Sequence, residues 1–246
     1  MNQKQIYTDF WNLLSLTEDY LKYNKNTGDH TPPSFDNPPP AQEAVHAAAS
    51  GGTFAPRAGG PGGRASAGEA VLPDCPGCSI RRAGRGAVPG RGSSRPRLLV
   101  VTGPPSVRAE QEGIPLAAEE MDYFEKWIAA IGLDLGKDVY LTNLTRCRPP
   151  GNRPPFPEEM NRCTGSIREF IRKVSPEVLL TMGPVPSAFL TGQTGLKVSE
   201  IRGQFFDLEG IPLLTTYSPD QVLSYPELKR PVWDDLKRIR NVLNGS

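Results

Sequence analysis

The sequence predicts an α/β protein, a three-layer α/β/α sandwich around a central, mostly parallel four-stranded sheet. Three observations carry that expectation. Short apolar runs recur at 98–101, 138–143, 177–183 and 211–218. Stretches of helical periodicity fill the gaps between them. Strand and helix therefore alternate, which implies right-handed βαβ crossovers and neighbouring parallel strands.

Along the chain, residues 5–23 come first. Ile6, Phe10, Leu13, Leu14 and Leu21 fall near one face of a helix. From 24 to 73 the texture becomes Pro, Gly, Ala and Ser with few large apolar residues. Such a segment buries too little surface to offset its ordering entropy, so it is expected to be a disordered linker. A folded domain is expected over 74–246, after an N-terminal helix (1–23) and the linker (24–73).

"LLVV" at 98–101 reads as a buried strand that runs into the tight loop "TGPPS" at 102–106. Met121, Phe124, Trp127, Ile128 and Ile131 keep helical spacing over 117–131, and Gly132 closes that helix. "DVYLTN" is the second strand. The helix 157–174 opens on Pro157 with Glu158 and Glu159 in its first turn, a favourable charge there. "EVLLTMG" is the third strand, followed by a short helix at 184–191. "IPLLTTYS" is the fourth, and 230–243 is a closing amphipathic helix. In an open sheet of this type the ligand crevice lies at the carboxyl ends of the strands. The loops there begin at Thr102, Asn143, Gly183 and Ser218.

A chain of 246 residues is long enough for one sizeable core. Its formal net charge of +1 does not announce a nucleic-acid binder, but local charge is more telling. Arg81, Arg82, Arg85, Arg91, Arg95 and Arg97 occur together without an acid, as do Arg146, Arg148 and Arg153. Two basic loops on a neutral body suit a phosphate-facing surface; solvated loop charge is the plain alternative. The sequence has neither a long apolar run nor a signal-peptide pattern at its start. A soluble, cytoplasmic monomer is the expectation.

The cysteines are Cys75, Cys78, Cys147 and Cys163. One C-x-x-C pair in an intracellular chain argues for a metal or redox site over disulfides. A thioredoxin-type pair fits poorly, because no strand precedes Cys75 and no helical pattern follows Cys78. Spacing does not choose between zinc and a [4Fe-4S] cluster, since both accept four thiolates.

"CPGC" at 75–78, "AAIGLD" at 129–134, "VYLTN" at 139–143, "RCRPPGNRPPFPEE" at 146–159, Cys163 and "TYSP" at 216–219 occur in this order. Together they resemble the uracil-DNA glycosylase superfamily, and its iron–sulfur branch, family 4, in particular. The resemblance runs from Cys75 to Leu243. It implies a DNA-repair hydrolase that flips a base out of the duplex and cleaves its N-glycosidic bond. It implies a [4Fe-4S] cluster on Cys75, Cys78, Cys147 and Cys163, with zinc as the alternative. Asn143 matches the residue that reads the Watson–Crick edge of uracil, since an amide offers both a donor and an acceptor. Thr102, Pro105 and Leu116 would line the base pocket with it. Arg148, Arg153, Gly183 and Arg202 would face DNA.

Where the family motif carries an acid in the first loop, this chain has Gly103. Where it has a stacking Phe, this chain has Leu116, and where it has a His in the last loop, this chain has Ser218. Losing a positioned acid–base group costs ~10²–10⁴ in rate, and losing an electrostatic stabiliser ~10²–10³. Asp220, Glu110 and Glu112 are the nearest candidate substitutes. The expectation is a base-excision glycosylase acting on uracil or a related deaminated base, weakened or altered. The alternative is an iron–sulfur DNA-binding member that no longer cleaves.

Overall fold

A computed structural model describes Cys78, residues 80–81 and residues 86–245. The predicted N-terminal helix and linker, together with Cys75, Arg82 and Arg85, lie outside the described residues.

A sheet of six strands runs through the described residues: β1 (Arg91–Gly92), β2 (Leu98–Thr102), β3 (Val139–Asn143), β4 (Val178–Met182), β5 (Phe205–Leu208) and β6 (Ile211–Thr216). Their spatial order is β1-β3-β2-β4-β6-β5. The four predicted strands are the parallel centre, β3-β2-β4-β6. β2, β3 and β4 are buried at every residue, which is why they read as unbroken apolar runs.

The sheet is two strands wider than the sequence predicts, because each edge gains an antiparallel strand. β1 consists of two exposed residues with no apolar pattern to announce it. Gly92 is required there, since a Cβ would lie 2.1 Å from the Val139 carbonyl oxygen. β5 joins β6 through Glu209 and Gly210, with φ of 56° and 83°. Positive φ at both turn residues is the geometry of a tight two-residue hairpin.

Helices α1 (Val107–Glu112), α2 (Ala118–Ala130), α3 (Pro157–Val174), α4 (Pro184–Thr191), α5 (Val198–Ile201), α6 (Pro219–Ser224) and α7 (Lys229–Leu243) complete the described fold. One face of the sheet buries Leu98, Val100, Leu141, Leu180 and Leu214 under Phe124 and Ile128 of α2, Val222 of α6, and Leu236 and Ile239 of α7. The other buries Leu99, Val101, Tyr140, Leu179 and Leu213 under Ile167, Phe170 and Ile171 of α3 and Leu190 of α4. The chain thus leaves β2 and β6 toward one face, and β3 and β4 toward the other. The loops part at the carboxyl ends of the strands, which is where an open sheet of this type places its ligand crevice. No helix among the described residues is long and apolar enough to cross a membrane.

Candidate base-reading site

Side chains alternate along a strand, so Asn143 shares the face of Val139 and Leu141. Thr102 pairs with Asn143 in the parallel register, and Met182 pairs with Thr216. These residues end the four central strands. The face they line is the one covered by α2, α6 and α7.

Asn143 is 1% exposed. Its Nδ2 donates to the Gly103 carbonyl at 2.7 Å and to the Pro115 carbonyl at 2.9 Å. Only an NH₂ group can serve two carbonyl acceptors, so the orientation of the amide is settled. Oδ1 is buried with no hydrogen-bond partner. Such an orphan acceptor is costly in a protein interior. It has the capacity to accept an N–H donor.

One of the two loops that Asn143 ties together is the predicted loop after β2; the other, before α2, carries Leu116. Thr102 and Pro105 are buried and Gly103 is half-buried. Nothing lies within 4 Å of where a Gly103 Cβ would stand, so the acid position is an open space. Ser106 caps α1, accepting from Ala109 N through its Oγ at 3.2 Å. Leu116 is 5% exposed and belongs to the apolar cluster of this face. Its neighbour Pro115 supplies the carbonyl that Asn143 binds.

At the far side of the row, Ser218 caps α6. Its backbone N and its Oγ both donate to Gln221 Oε1, each at 3.1 Å. Gly183 has φ +88°, and a Cβ there would come within 3.3 Å of Ser218 Oγ. Asp220 follows in the first turn of α6, half-buried. Burial lifts its carboxyl above the ordinary range, against the opposing pull of the Ser218 hydroxyl and nearby backbone N–H groups.

Glu120, in the first turn of α2, escapes the sequence reading. Burial first, and then the charge of Asp220, push its carboxyl up to about 7. The sequence signal is weak, because an acid in a first helical turn is already accounted for by the helix dipole. Its Oε2 does accept from Ala117 N at 3.2 Å, as a capping residue would. The two substitutes suggested beside the first loop are occupied differently. Glu110 pairs with Arg148 at 2.8 Å, and Glu112 accepts from Ala118 N at 2.9 Å.

Each arginine expected to face DNA has an acidic partner. Arg148 Nη1 also reaches Asn152 Oδ1 at 2.8 Å. Arg153 holds Glu159 through two bonds of 2.7 and 2.8 Å, and its guanidinium lies 3.9 Å above the Phe156 ring. Arg202 donates to both carboxylate oxygens of buried Asp235, at 2.7 and 3.0 Å, and to the Pro231 carbonyl. Thr216 Oγ1 donates to the same carboxylate at 2.7 Å. Arg148 and Arg153 brace the loop between β3 and α3, while Arg202 pins α5 to α7.

Among the expected metal ligands, Cys78 and Cys147 pack with Ile80 in one small buried cluster. Cys163 is 4% exposed on α3. Among the described residues no three His, Cys, Asp or Glu side chains stand together as a metal-holding group. Cys75 lies outside those residues, and the four thiols are compatible in chemistry with a metal centre.

Residues 89–237 match the family model for the uracil DNA glycosylase superfamily. The chain is similar to the type-4 uracil-DNA glycosylase of Saccharolobus solfataricus, with 27% identity over 179 residues, covering 70% of this chain and 82% of that protein. Against the type-4 uracil-DNA glycosylase of Archaeoglobus fulgidus it is 27% identical over 172 residues, 67% of this chain and 86% of the relative. Against that of Thermotoga maritima it is 26% identical over 172 residues, 69% and 89% of the two chains.

Proposed function

This chain belongs to the uracil DNA glycosylase superfamily, and on that premise we propose that it hydrolyses the N-glycosidic bond of uracil, or a related deaminated base, in DNA. The observation that carries this reading is the state of Asn143. It is buried, its donor edge is committed to Gly103 and Pro115, and its acceptor Oδ1 has no partner. An acceptor fixed in that way suits the ring N–H of a lactam base. It opposes the ring acceptor of cytosine at the corresponding position.

The chemistry asked of the rest of the site is activation of water and stabilisation of charge on the leaving base. Gly103 supplies no side chain for the first task. The Ser218 hydroxyl, donating to Gln221, is a weaker stand-in for a protonatable ring in the second. A rate well below that of a fully equipped glycosylase is therefore expected. Those two positions are also what favours the second reading, a DNA-binding member that does not cleave.

Cys75, Cys78, Cys147 and Cys163 would hold a [4Fe-4S] cluster, supported by the motif order and by the shared burial of Cys78 and Cys147. When bound, the cluster would brace the loops beside β3, and no chemical step here depends on it. Absorbance near 400 nm (about that wavelength, for thiolate-to-iron transitions) should be present in anaerobically purified protein and absent in Cys147→Ser. A colourless protein with stoichiometric zinc would replace the assignment.

The functional test uses single- and double-stranded oligonucleotides that contain uracil, incubated with the protein and then cleaved with alkali. Strand scission that disappears with Asn143→Ala is the expected result. No scission at stoichiometric protein, together with salt-sensitive DNA binding, would instead establish the non-cleaving member.

A further inference from the structure

We propose that Glu120 and Asp220 are the acid–base pair of this crevice, one carboxyl protonating the departing base while the other takes a proton from the attacking water. The proposal rests on the glycosylase reading and supplies the groups that reading lacks at Gly103 and Ser218.

The placement comes first. Glu120 and Asp220 stand in the first turns of α2 and α6, two helices that pack on one another over the face that carries Asn143. Glu120 is fastened to Ala117 N, two residues beyond the Pro115 carbonyl that receives Asn143 Nδ2 at 2.9 Å. Asp220 lies two residues past Ser218, in the first turn of the helix that Ser218 opens. A pair of acids is not in itself a site. The independent mark of a ligand is the Asn143 Oδ1, fully buried on this same face with no partner of its own.

The surrounding charges set the state of the pair. Glu120 faces Asp220 from α6, Arg108 from α1 and Glu119 from its own helix. At Asp220 burial outweighs the Ser218 hydroxyl and the backbone N–H groups of its own turn, which favour the charged form. At Glu120 burial and the charge of Asp220 outweigh Arg108, and burial raises Asp220 as well. Two neighbouring carboxyls that resist ionising together can offer a donor and an acceptor at once.

The step balances. The water oxygen bonds to C1′ of the deoxyribose as its proton passes to the carboxylate. The C1′–N bond breaks, and its electron pair stays with the base. The carboxylic acid then protonates the base. One proton enters the pair and one leaves it. The products are the free base and an abasic sugar, and no further reactant is needed. The carboxylate also faces the positive charge that builds on the sugar.

The test measures single-turnover cleavage of a uracil oligonucleotide from about pH 5 to about pH 9, for the wild type, Glu120→Gln and Asp220→Asn. A bell-shaped profile with one limb near neutrality is expected. Each variant should lose at least ~10²-fold and flatten that limb. A merely structural role would leave the profile in place.

Binding gives a readout without turnover. It compares an oligonucleotide that bears a cationic pyrrolidine in place of the sugar with one that bears an uncharged tetrahydrofuran. The wild type should prefer the cation, more so as pH rises through neutrality, and both variants should lose the preference. If the wild type cleaves and both variants keep its rate and profile, the pair is wrong and the glycosylase reading stands. If the wild type cleaves nothing, the glycosylase reading fails. The pair then survives only if a cation preference is present and is lost in both variants.

Discussion

Asn143 is held by its donors and keeps its buried acceptor unpartnered, so it does two jobs with separable consequences. Its Nδ2 fastens the loop after β2 to the loop before α2. Replacing it with Ala strands the Gly103 and Pro115 carbonyls, and a buried group left without its partner costs about 1–3 kcal/mol. Asn143→Ala should therefore lower stability by that order in urea unfolding, besides removing recognition. Free uracil should protect the wild type against unfolding, and free cytosine should not. Equal protection by both bases would show that Oδ1 does not select.

Gly103 invites the opposite experiment. Nothing occupies the space its Cβ would enter, and its φ is not in the left-handed region, so a side chain is admissible there. Gly103→Glu should leave stability within about 0.5 kcal/mol, as surface substitutions usually do. With Glu120 and Asp220 as the acid–base pair, it should change single-turnover cleavage by no more than several-fold. A rise approaching ~10²–10⁴, the usual value of a positioned acid–base group, would show that the water-activating role was vacant and would count against the pair.

At the scale of elements, the crevice is shaped by loops that brace one another. Glu110 of α1 reaches Arg148 in the loop after β3, and Arg153 of that loop reaches Glu159 of α3. Glu159 Oε2 also accepts from Phe156 N at 2.7 Å. With its carboxylate almost wholly buried, Glu159 is the anchor of this loop. Glu159→Ala should cost about 1–3 kcal/mol and speed amide exchange around Arg153 and Phe156. Protection unchanged in that segment would show that the loop is held by other contacts.

These elements differ in how far they could be read from sequence. β2, β3 and β4 and helices α3 and α4 stand where periodicity puts them, because both-face burial and one-sided burial each leave a plain apolar pattern. β1 leaves no such pattern, since its two exposed residues close the sheet through backbone pairing, and β5 is too short to show one, although Phe205 packs on one face and Phe206 and Leu208 on the other. The positions of Asn143, Gly103 and Ser218 at the carboxyl ends of the central strands were legible from motif order. Glu120 was not, because its significance comes from α6 folding back beside α2, a contact roughly a hundred residues away in sequence (of the long-range kind that periodicity does not record).

For the whole molecule, the same pair makes stability depend on pH in a direction opposite to that of a carboxylate whose proton affinity is lowered by an ion pair. Glu120 titrates near 7 in the folded protein, against about 4.5 for an unperturbed Glu. Between those values the native state binds a proton that the unfolded chain has lost. The bound proton favours the native state, so this stabilisation is complete below about pH 4.5 and is lost as pH rises through about 7. The difference corresponds to on the order of 3 kcal/mol. Asp220 and Asp235, both raised by burial, act in the same sense. The wild type should thus be less stable in urea at about pH 8 than at about pH 5. Glu120→Gln keeps the acceptor for Ala117 N but has nothing to titrate. It should remove most of that slope and be the more stable protein at the higher pH. Gain of stability with loss of cleavage is the mark of a residue kept at a cost for its chemistry. If the slope persists undiminished in Glu120→Gln, the proton lies elsewhere, and Asp235, buried under Arg202 and Thr216, is the next group to replace.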